Sequence, residues 1–505
     1  MKNMNYMKNS LIVLLFLLLF LQSCDGFLDT APSNSVTTDL ALLTIRDANF
    51  AVNGLYRPLK AASFYGGTMT LMGDNRGDDF LPRNSNVGGW NELYAFRYTS
   101  ENLNQWGIWG SCYNTIMKAN AILEGWESLQ AQTADQIAQK NDIKAHALAV
   151  RAFTYFDLVR LYGYPYLKDN GQSMGAIIVD KTITPKEALE MERSTVADTY
   201  SFLLKDIQEA LPLIFKPSTL SEANAQPNPA SERPGRIGKF NYWSLKMLQA
   251  RAYLYMGQWD NAYSAAIEVI RDSPYRLVSH SEYINDLGTE GGVETIFELL
   301  VGGDRETDMD ANNNFDGMYN SFWHISPGMA RLVPSIAWVE LMEEDPDDVR
   351  CNYISWYNGS EDLTWIKKFP GIGGDFKRNN PRIFRLSEAY FIAAETALAT
   401  GKQSEANQYL DAIRKRANPA NPTITCTLDE LLKEKRKEFI GEGHRFYDLM
   451  RLGKTMVRSG GIHFAHYVYE CPETIDWNYF KVVLPVSRSA RLLHPLCKQN
   501  PGYTD

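Results

Sequence analysis

The chain has little of what usually announces chemistry. Only seven histidines occur in 505 residues, and there is no Cys-x-x-Cys pair. No P-loop, nucleotide-binding glycine motif, Gly-x-Ser-x-Gly or His-Glu-x-x-His is present, so the familiar nucleotide, hydrolase and metalloprotease signatures give no lead. Gly371-Ile372-Gly373-Gly374 reads as a flexible turn, and His463 and His466 have no third ligand at useful spacing. Basic residues do not prevail: 51 Lys and Arg face 60 Asp and Glu, for a net charge of −9. That balance argues against nucleic acid, whose phosphates require clustered cations. Cysteine is scarce and widely spaced. Apart from Cys24 there are Cys112, Cys351, Cys426, Cys471 and Cys497, an odd number that makes no disulfide framework. If one bridge forms, Cys426–Cys471 and Cys471–Cys497 are the favoured pairs.

Long apolar runs are also missing, with one exception. Leu11 to Leu21 is unbroken, follows Lys2 and Lys8, and ends at Leu21-Gln22-Ser23-Cys24. The run is about half of the roughly 20 residues a spanning helix needs. It suits the core of a signal peptide. The closing four residues form a lipobox: an aliphatic residue, a spacer, a small residue and a cysteine whose thiol takes the lipid. Residues 1–23 are therefore expected to be removed and Cys24 to carry the anchor. More than one acyl chain is needed for lasting attachment, so diacylglycerol with palmitate-type chains is implied. Asp25 to Ser33 has no helical pattern and reads as a tether. The remaining body, 24–505, would sit at a membrane surface.

Hydrophobic residues make up 45% and aromatics 12%, with 11 Trp and 27 Tyr. About 480 mature residues suffice for a large core. Helical periodicity runs over Asp39–Lys60, Trp109–Glu127, Asp142–Tyr162, Thr195–Leu211, Phe240–Gly257, Asp260–Arg271, Arg385–Thr400, Ser404–Ala417, Thr427–Gly441 and Arg445–Leu452. Two hairpins, at about 240–273 and 385–417, align residue for residue: Ala250 with Ala394, Leu254 with Leu398, Gly257 with Gly401, Ala262 with Ala406. A glycine cap followed by a small residue facing the first helix is tetratricopeptide grammar. Irregular stretches are expected at Tyr65–Gln105, Pro217–Gly238, Gly302–Leu332 and Cys351–Asn380. Arg151, Asp157 and Arg160 lie on a helix too apolar to leave them unpaired, so an internal ion network is expected. Glu438, Glu442, Arg445, Asp448 and Arg451 interleave as a solvated or bridged face.

Several segments together resemble one family, the SusD/RagB-like outer-membrane lipoproteins. They are Cys24-Asp25-Gly26-Phe27-Leu28-Asp29; Trp109, Tyr113, Ile116 and Asn120; Arg151 to Gly163; Arg385-Leu386-Ser387-Glu388 with Ala394-Glu395; Lys435 to Arg451; and Gln499-Asn500-Pro501-Gly502-Tyr503. The stretch Leu484 to Ala490 lacks the second proline and the glutamate usual before the family terminus. The resemblance implies a mainly α fold. Tetratricopeptide-type hairpins would form one side, with a loop-rich ligand-binding side opposite. It implies a non-catalytic nutrient-binding protein of the outer membrane, facing the cell exterior. Its partner would be a SusC-type TonB-dependent transporter, and its ligand a glycan or, alternatively, a peptide. A tetratricopeptide scaffold that binds only proteins is the rival reading.

Sugar recognition needs aromatic faces together with carboxylate, amide and guanidinium groups. Asp74-Asn75-Arg76-Gly77-Asp78-Asp79, followed by Arg83, Asn86, Trp90 and Asn91, supplies all of them. The family builds its site from these early loops and a mid-chain loop, here Tyr319 to His324 with Phe322 and Trp323. The expected ligand contacts are therefore Asp79, Arg83, Asn86, Trp90, Asn91, Tyr319 and Trp323. No cofactor is expected. Asp308, Asp310 and Asp316 fall at alternate spacing with Asn312 and Asn314, which makes a loose calcium site a candidate, although the glycine and glutamate of an EF-hand are missing.

Overall fold

A computed structural model describes residues 44–61, 63–82, 89–102, 107–226, 236–301, 332–357, 360–375, 378–458 and 471–504. Cys24 lies outside them. In chain order the elements are α1 (Ile45–Tyr56), α2 (Thr68–Asn75), β1 (Phe80–Pro82), α3 (Gly89–Tyr94), α4 (Ile108–Trp126), α5 (Ala134–Tyr162), α6 (Val196–Ala210), α7 (Tyr242–Tyr255), α8 (Trp259–Asp272), β2 (Thr295–Glu298), β3 (Leu332–Pro334), α9 (Ile336–Glu343), β4 (Ile354–Tyr357), β5 (Ser360–Ile366), β6 (Arg382–Arg385), α10 (Leu386–Ala399), α11 (Gln403–Ala417), α12 (Leu428–Glu438), α13 (Arg445–Arg451), β7 (Met456–Val457) and β8 (Thr474–Ile475). The strands make four separate antiparallel pairs: β1 with β3, β2 with β6, β4 with β5 and β7 with β8. Among the described residues no helix is long and apolar enough to cross a membrane.

Helix α5 organises one half. It packs against α4, α6 and α1, and from Asp142 onward nearly every residue is buried. Its first two turns are polar and exposed, so they carry no apolar periodicity. They form because Thr133 and Gln136 close a capping box. Arg151 is buried on α5 and meets Asp206 of α6 through two bonds of 2.8 Å, while Asn120 of α4 accepts a third at 2.6 Å. Asp157 pairs with Arg160 at 2.8 Å. The charges on this helix thus tie three elements together without reaching solvent.

The other half is a stack of α7, α8, α10 and α11, in which α8 lies against α10. Close approach follows from alanine: Ala250, Ala262, Ala394 and Ala406 have no exposed surface. Both hairpins turn alike. Gly257 and Gly401 adopt φ of 68° and 75°, and the following amides, Gln258 and Lys402, bond back to Tyr253 and Ala397 at 2.9 and 2.8 Å. This is the six-to-one bond of a Schellman cap, which needs a left-handed residue.

The region expected to be irregular from Tyr65 to Gln105 contains two helices, α2 and α3. All eight residues of α2 are buried, so it shows no polar face for periodicity to reveal. Likewise the stretch Cys351–Asn380 contains the β4–β5 hairpin, and Pro217–Gly238 a short helix, Leu220–Ala223. The five described cysteines are all free.

Beneath these elements lies a buried ionic cluster. Glu438, at the end of α12, receives Arg385 at 2.7 Å and Arg350 at 3.1 Å, and faces Arg416 at 2.7 Å. Arg385 also meets Glu294 and Glu442, and Lys368 meets Glu442 at 2.5 Å. The glutamates expected on a solvated or bridged face are bridged, but in the interior. Burial alone would raise the Glu442 pKa; the Arg385 and Lys368 charges outweigh it and hold the carboxyl at about 2.

Three outcomes follow. Gly401 has open space around it, so Gly401→Ala tests only its left-handed backbone; we expect a loss of about 1 kcal/mol in urea unfolding. Glu438→Gln leaves the surrounding guanidinium groups under-compensated and should cost about 3–5 kcal/mol. The depressed Glu442 pKa adds a pH signature. Its stabilisation is complete above the unfolded carboxyl value of about 4.3 and is lost as pH falls from there toward about 2. A stability–pH curve that stays flat across that window would refute the paired state of Glu442.

Candidate functional site

The two segments singled out by sequence lie far apart in the chain, yet the described residues next to them meet. β1 and β3 are only three residues each, and their register pairs Pro82 with Leu332. Residues 83–88 begin after Pro82, and residues 302–331 end before Leu332. Beneath this ladder Leu81, Tyr94 and Val333 form a small buried cluster, with Cys471 packed against it. Cys471 in turn follows residues 459–470, whose other flank, Arg458, is joined to Glu473 by a backbone bond of 2.8 Å. β5 lies alongside β3. The flanks of three segments thus converge on one small patch.

The patch is rigid because charges clamp it from below. Arg458 is fully buried, with its guanidinium 3.7 Å from the Tyr94 ring centroid. It donates to the carbonyls of Gly77, Tyr94 and Arg76 at 3.1, 2.6 and 3.2 Å. Asp78 takes both arms of the Arg445 fork at 2.8 Å. Burial pushes the Asp78 pKa up, but Arg445 overrides it and lowers it to about 2. Asp79 accepts Arg436 Nε at 2.8 Å, and its carbonyl accepts the Ser335 amide at 2.7 Å. Trp338 of α9 fixes Arg436 from the other side by donating Nε1 to its carbonyl at 3.1 Å. Asp74 accepts the Gly443 amide at 3.0 Å. Here glycine is required twice: Gly443 has φ of 76°, and a Cβ on Gly73 would stand 2.2 Å from the Gly443 oxygen.

These contacts correct the reading of Asp74 to Asp79. The run looks like an exposed sugar-binding loop, but Asp74, Asn75, Arg76, Asp78 and Asp79 are all buried. Asp79 is withdrawn as a ligand contact, because its carboxylate is already engaged by Arg436 and only 3% of the residue is exposed. Trp90 and Asn91 open α3 immediately beyond residues 83–88. They are covered here, with 7% and 4% exposure, and Trp90 joins the main core. Asn75 anchors this helix by donating to the Trp90 carbonyl at 2.7 Å. Arg83, Asn86, Tyr319 and Trp323 lie outside the described residues, as do Phe322, His463, His466 and the calcium candidates Asp308, Asp310 and Asp316. Among the described residues no three metal-type side chains are grouped for an ion. Sequence reasoning missed Arg436, Arg445 and Arg458 as the clamps. For Arg436 and Arg445 the interleaving with acids on helical segments hinted at pairing; for Arg458 no local signal existed, and nothing local named any of the partners.

Comparison with known proteins places this geometry. A family model described as "SusD family" matches residues 355–503, and another, described as "Starch-binding associating with outer membrane", matches residues 26–229. A solved SusD superfamily protein from Bacteroides vulgatus is 32% identical, with a TM-score of 0.79 over 92% of this chain and 100% of that one. Another, from Bacteroides thetaiotaomicron, is 30% identical with a TM-score of 0.78, over 91% of this chain and 100% of that one. A curated relative from that organism, "Starch-binding protein SusD", is 41% identical over 71 residues, which are 14% of this chain and 12% of the relative. Two such structures at 30% identity or more, aligned along their whole length with the mainly helical fold described above, decide the matter: this chain belongs to the SusD/RagB family.

Proposed function

We propose that this protein is a non-catalytic, surface-exposed lipoprotein of the outer membrane. It captures oligosaccharides and passes them to a SusC-type TonB-dependent transporter. The observation that carries the reading is the pairing of Pro82 with Leu332. It brings together, on a clamped base, the residue before 83–88, the segment that holds Arg83 and Asn86, and the residue after 302–331, the segment that holds Tyr319 and Trp323. A binding site built from loops on rigid supports loses less entropy when it closes on a ligand. Trp90 and Asn91 stand at the border of the same patch. The carbohydrate words in the descriptions of one family model and one relative agree with this ligand class. Cys24 supplies the lipid attachment in this reading.

Catalysis has no support in the acids of the base. Asp78 and Asp79 face Arg445 and Arg436, and Asp74 takes a backbone amide. Each is committed to holding the fold.

Burial makes Trp90→Ala a poor probe, since deleting a core indole costs about 3–5 kcal/mol by itself. Trp323→Ala is the informative variant. Screened by calorimetry against a glycan panel, the wild-type chain should bind at least one oligosaccharide. The variant should lose about 1–3 kcal/mol of that affinity, the usual value of a stacking aromatic, while its melting temperature stays unchanged. Unaltered glycan affinity in the variant, or retention of peptides in place of glycans, would defeat this assignment. Asp79→Asn should behave oppositely, lowering stability while leaving the affinity of the folded fraction intact.

A further inference from the structure

Apart from the clamped patch, α4 lines an open apolar groove of about 250 Å³, walled by Trp109, Tyr113, Met117, Ile177, Val179 and Met191. Ala188 and His494 also line it. The His494 ring donates Nδ1 to the Ala188 carbonyl at 3.0 Å. That bond joins the end of the short helix Pro185–Ala188 to the end of the short helix Arg488–Leu493. Large aliphatic side chains stand open around the junction. Leu492 and Leu493 are 74% and 68% exposed, Leu189 is 45% and Leu496 is 42%. Half of the exposed large hydrophobic residues among the described part of the chain are these four. Single exposed leucines are ordinary, whereas a contiguous set beside an apolar groove marks an interaction surface.

Charge sets this surface apart from the rest of the chain. From Trp477 to Tyr503 there is no acidic residue, while Lys481, Arg488, Arg491 and Lys498 are basic, in a chain of net charge −9. Lys481 turns inward to the Phe96 carbonyl, and Arg488 pairs with Glu101 at 3.0 Å. Lys498 is exposed beside Leu496, and Lys186 is exposed beside Leu189; Glu190 and Glu192 follow on that side. Open aliphatic side chains beside cations match a bilayer interface, where leucine enters the acyl boundary and lysine meets anionic headgroups.

We propose that this leucine patch rests on the surface of a lipid bilayer carrying anionic headgroups. The occupant is the membrane to which Cys24 tethers the chain, so the inference rests on the anchoring in the proposed function. The tether allows it: the roughly 20 residues between Cys24 and Thr44 reach about 70 Å when extended, more than the length of α4. The patch binds such a bilayer by itself, and tethering raises the local concentration of membrane so that this affinity sets the orientation of the body.

The test uses the full mature chain with Cys24→Ser, which cannot be lipidated, floated with vesicles of phosphatidylcholine alone or mixed with phosphatidylglycerol. We expect co-flotation with the mixed vesicles, and about a tenfold weaker partition when Leu492→Ser and Leu493→Ser are added. Both leucines are exposed, so melting temperature and glycan affinity should not change in the double variant. Absence of flotation in the Cys24→Ser chain overturns the inference, as does equal flotation of the double variant. Loss of a concentration-dependent dimer in the double variant also overturns it and assigns the patch to a second copy. The mass of the wild-type N-terminal peptide separates the two readings. An unmodified Cys24 defeats the anchoring and this inference together; a lipidated Cys24 without vesicle binding defeats only this inference.

Discussion

Burying Glu438 as a charged carboxylate would be prohibitive unless cations came with it. Here they come from three separate parts of the chain. Arg350 lies in a short 3-10 turn, Arg385 ends β6, and Arg416 lies on α11. Arg385 and Arg416 also share Glu294, and Arg350 also meets Asp348 and Glu434, so one connected network holds the ends of α11, α12 and β6 together. The segment after α12 then inherits a fixed position, with Glu442 held by Arg385 and Lys368. Three of the clamps on the base lie on or beside this segment: Gly443 on Asp74, Arg445 on Asp78, and Arg436, in the last turn of α12, on Asp79.

The design separates two tasks. Helices bury alanine against alanine and keep their charges internal, so the frame is stiff and has little dependence on what is bound. The strands are too short to be stable sheets by themselves. They serve as fasteners that bring chain segments together at chosen points, and the β1–β3 pair does so for the two loops expected to meet ligand. The polar contacts described for this base join α2 and the residues just after it to α12, α13 and Arg458, all within the helical frame and its borders.

Much of the helical frame was legible. The boundaries of α4, α6, α7, α8, α10 and α11 fall within two residues of those expected from periodicity. Caps and apolar spacing are written within a few residues of the place they act. The start of α5 was missed because its first turns are polar, although Thr133 and Gln136 carried the signal. α2 was missed because burial on every side removes periodicity. The run Asp74 to Asp79 was misread for a different reason. Its polarity suggests solvent, and the partners that neutralise it sit 357 to 369 positions further along the chain.

The sequence by itself determined where most of the amphipathic helices begin and end, which of them approach closely through alanine, and which residue types are on hand for a ligand. Those properties depend on neighbours within a turn or two. Only the tertiary structure decided which carboxylate meets which guanidinium, that Asp79 is committed to Arg436, and that Pro82, before residues 83–88, pairs with Leu332, after residues 302–331. Ion pairing and strand pairing at such separations depend on the path of the whole chain, which no local pattern encodes.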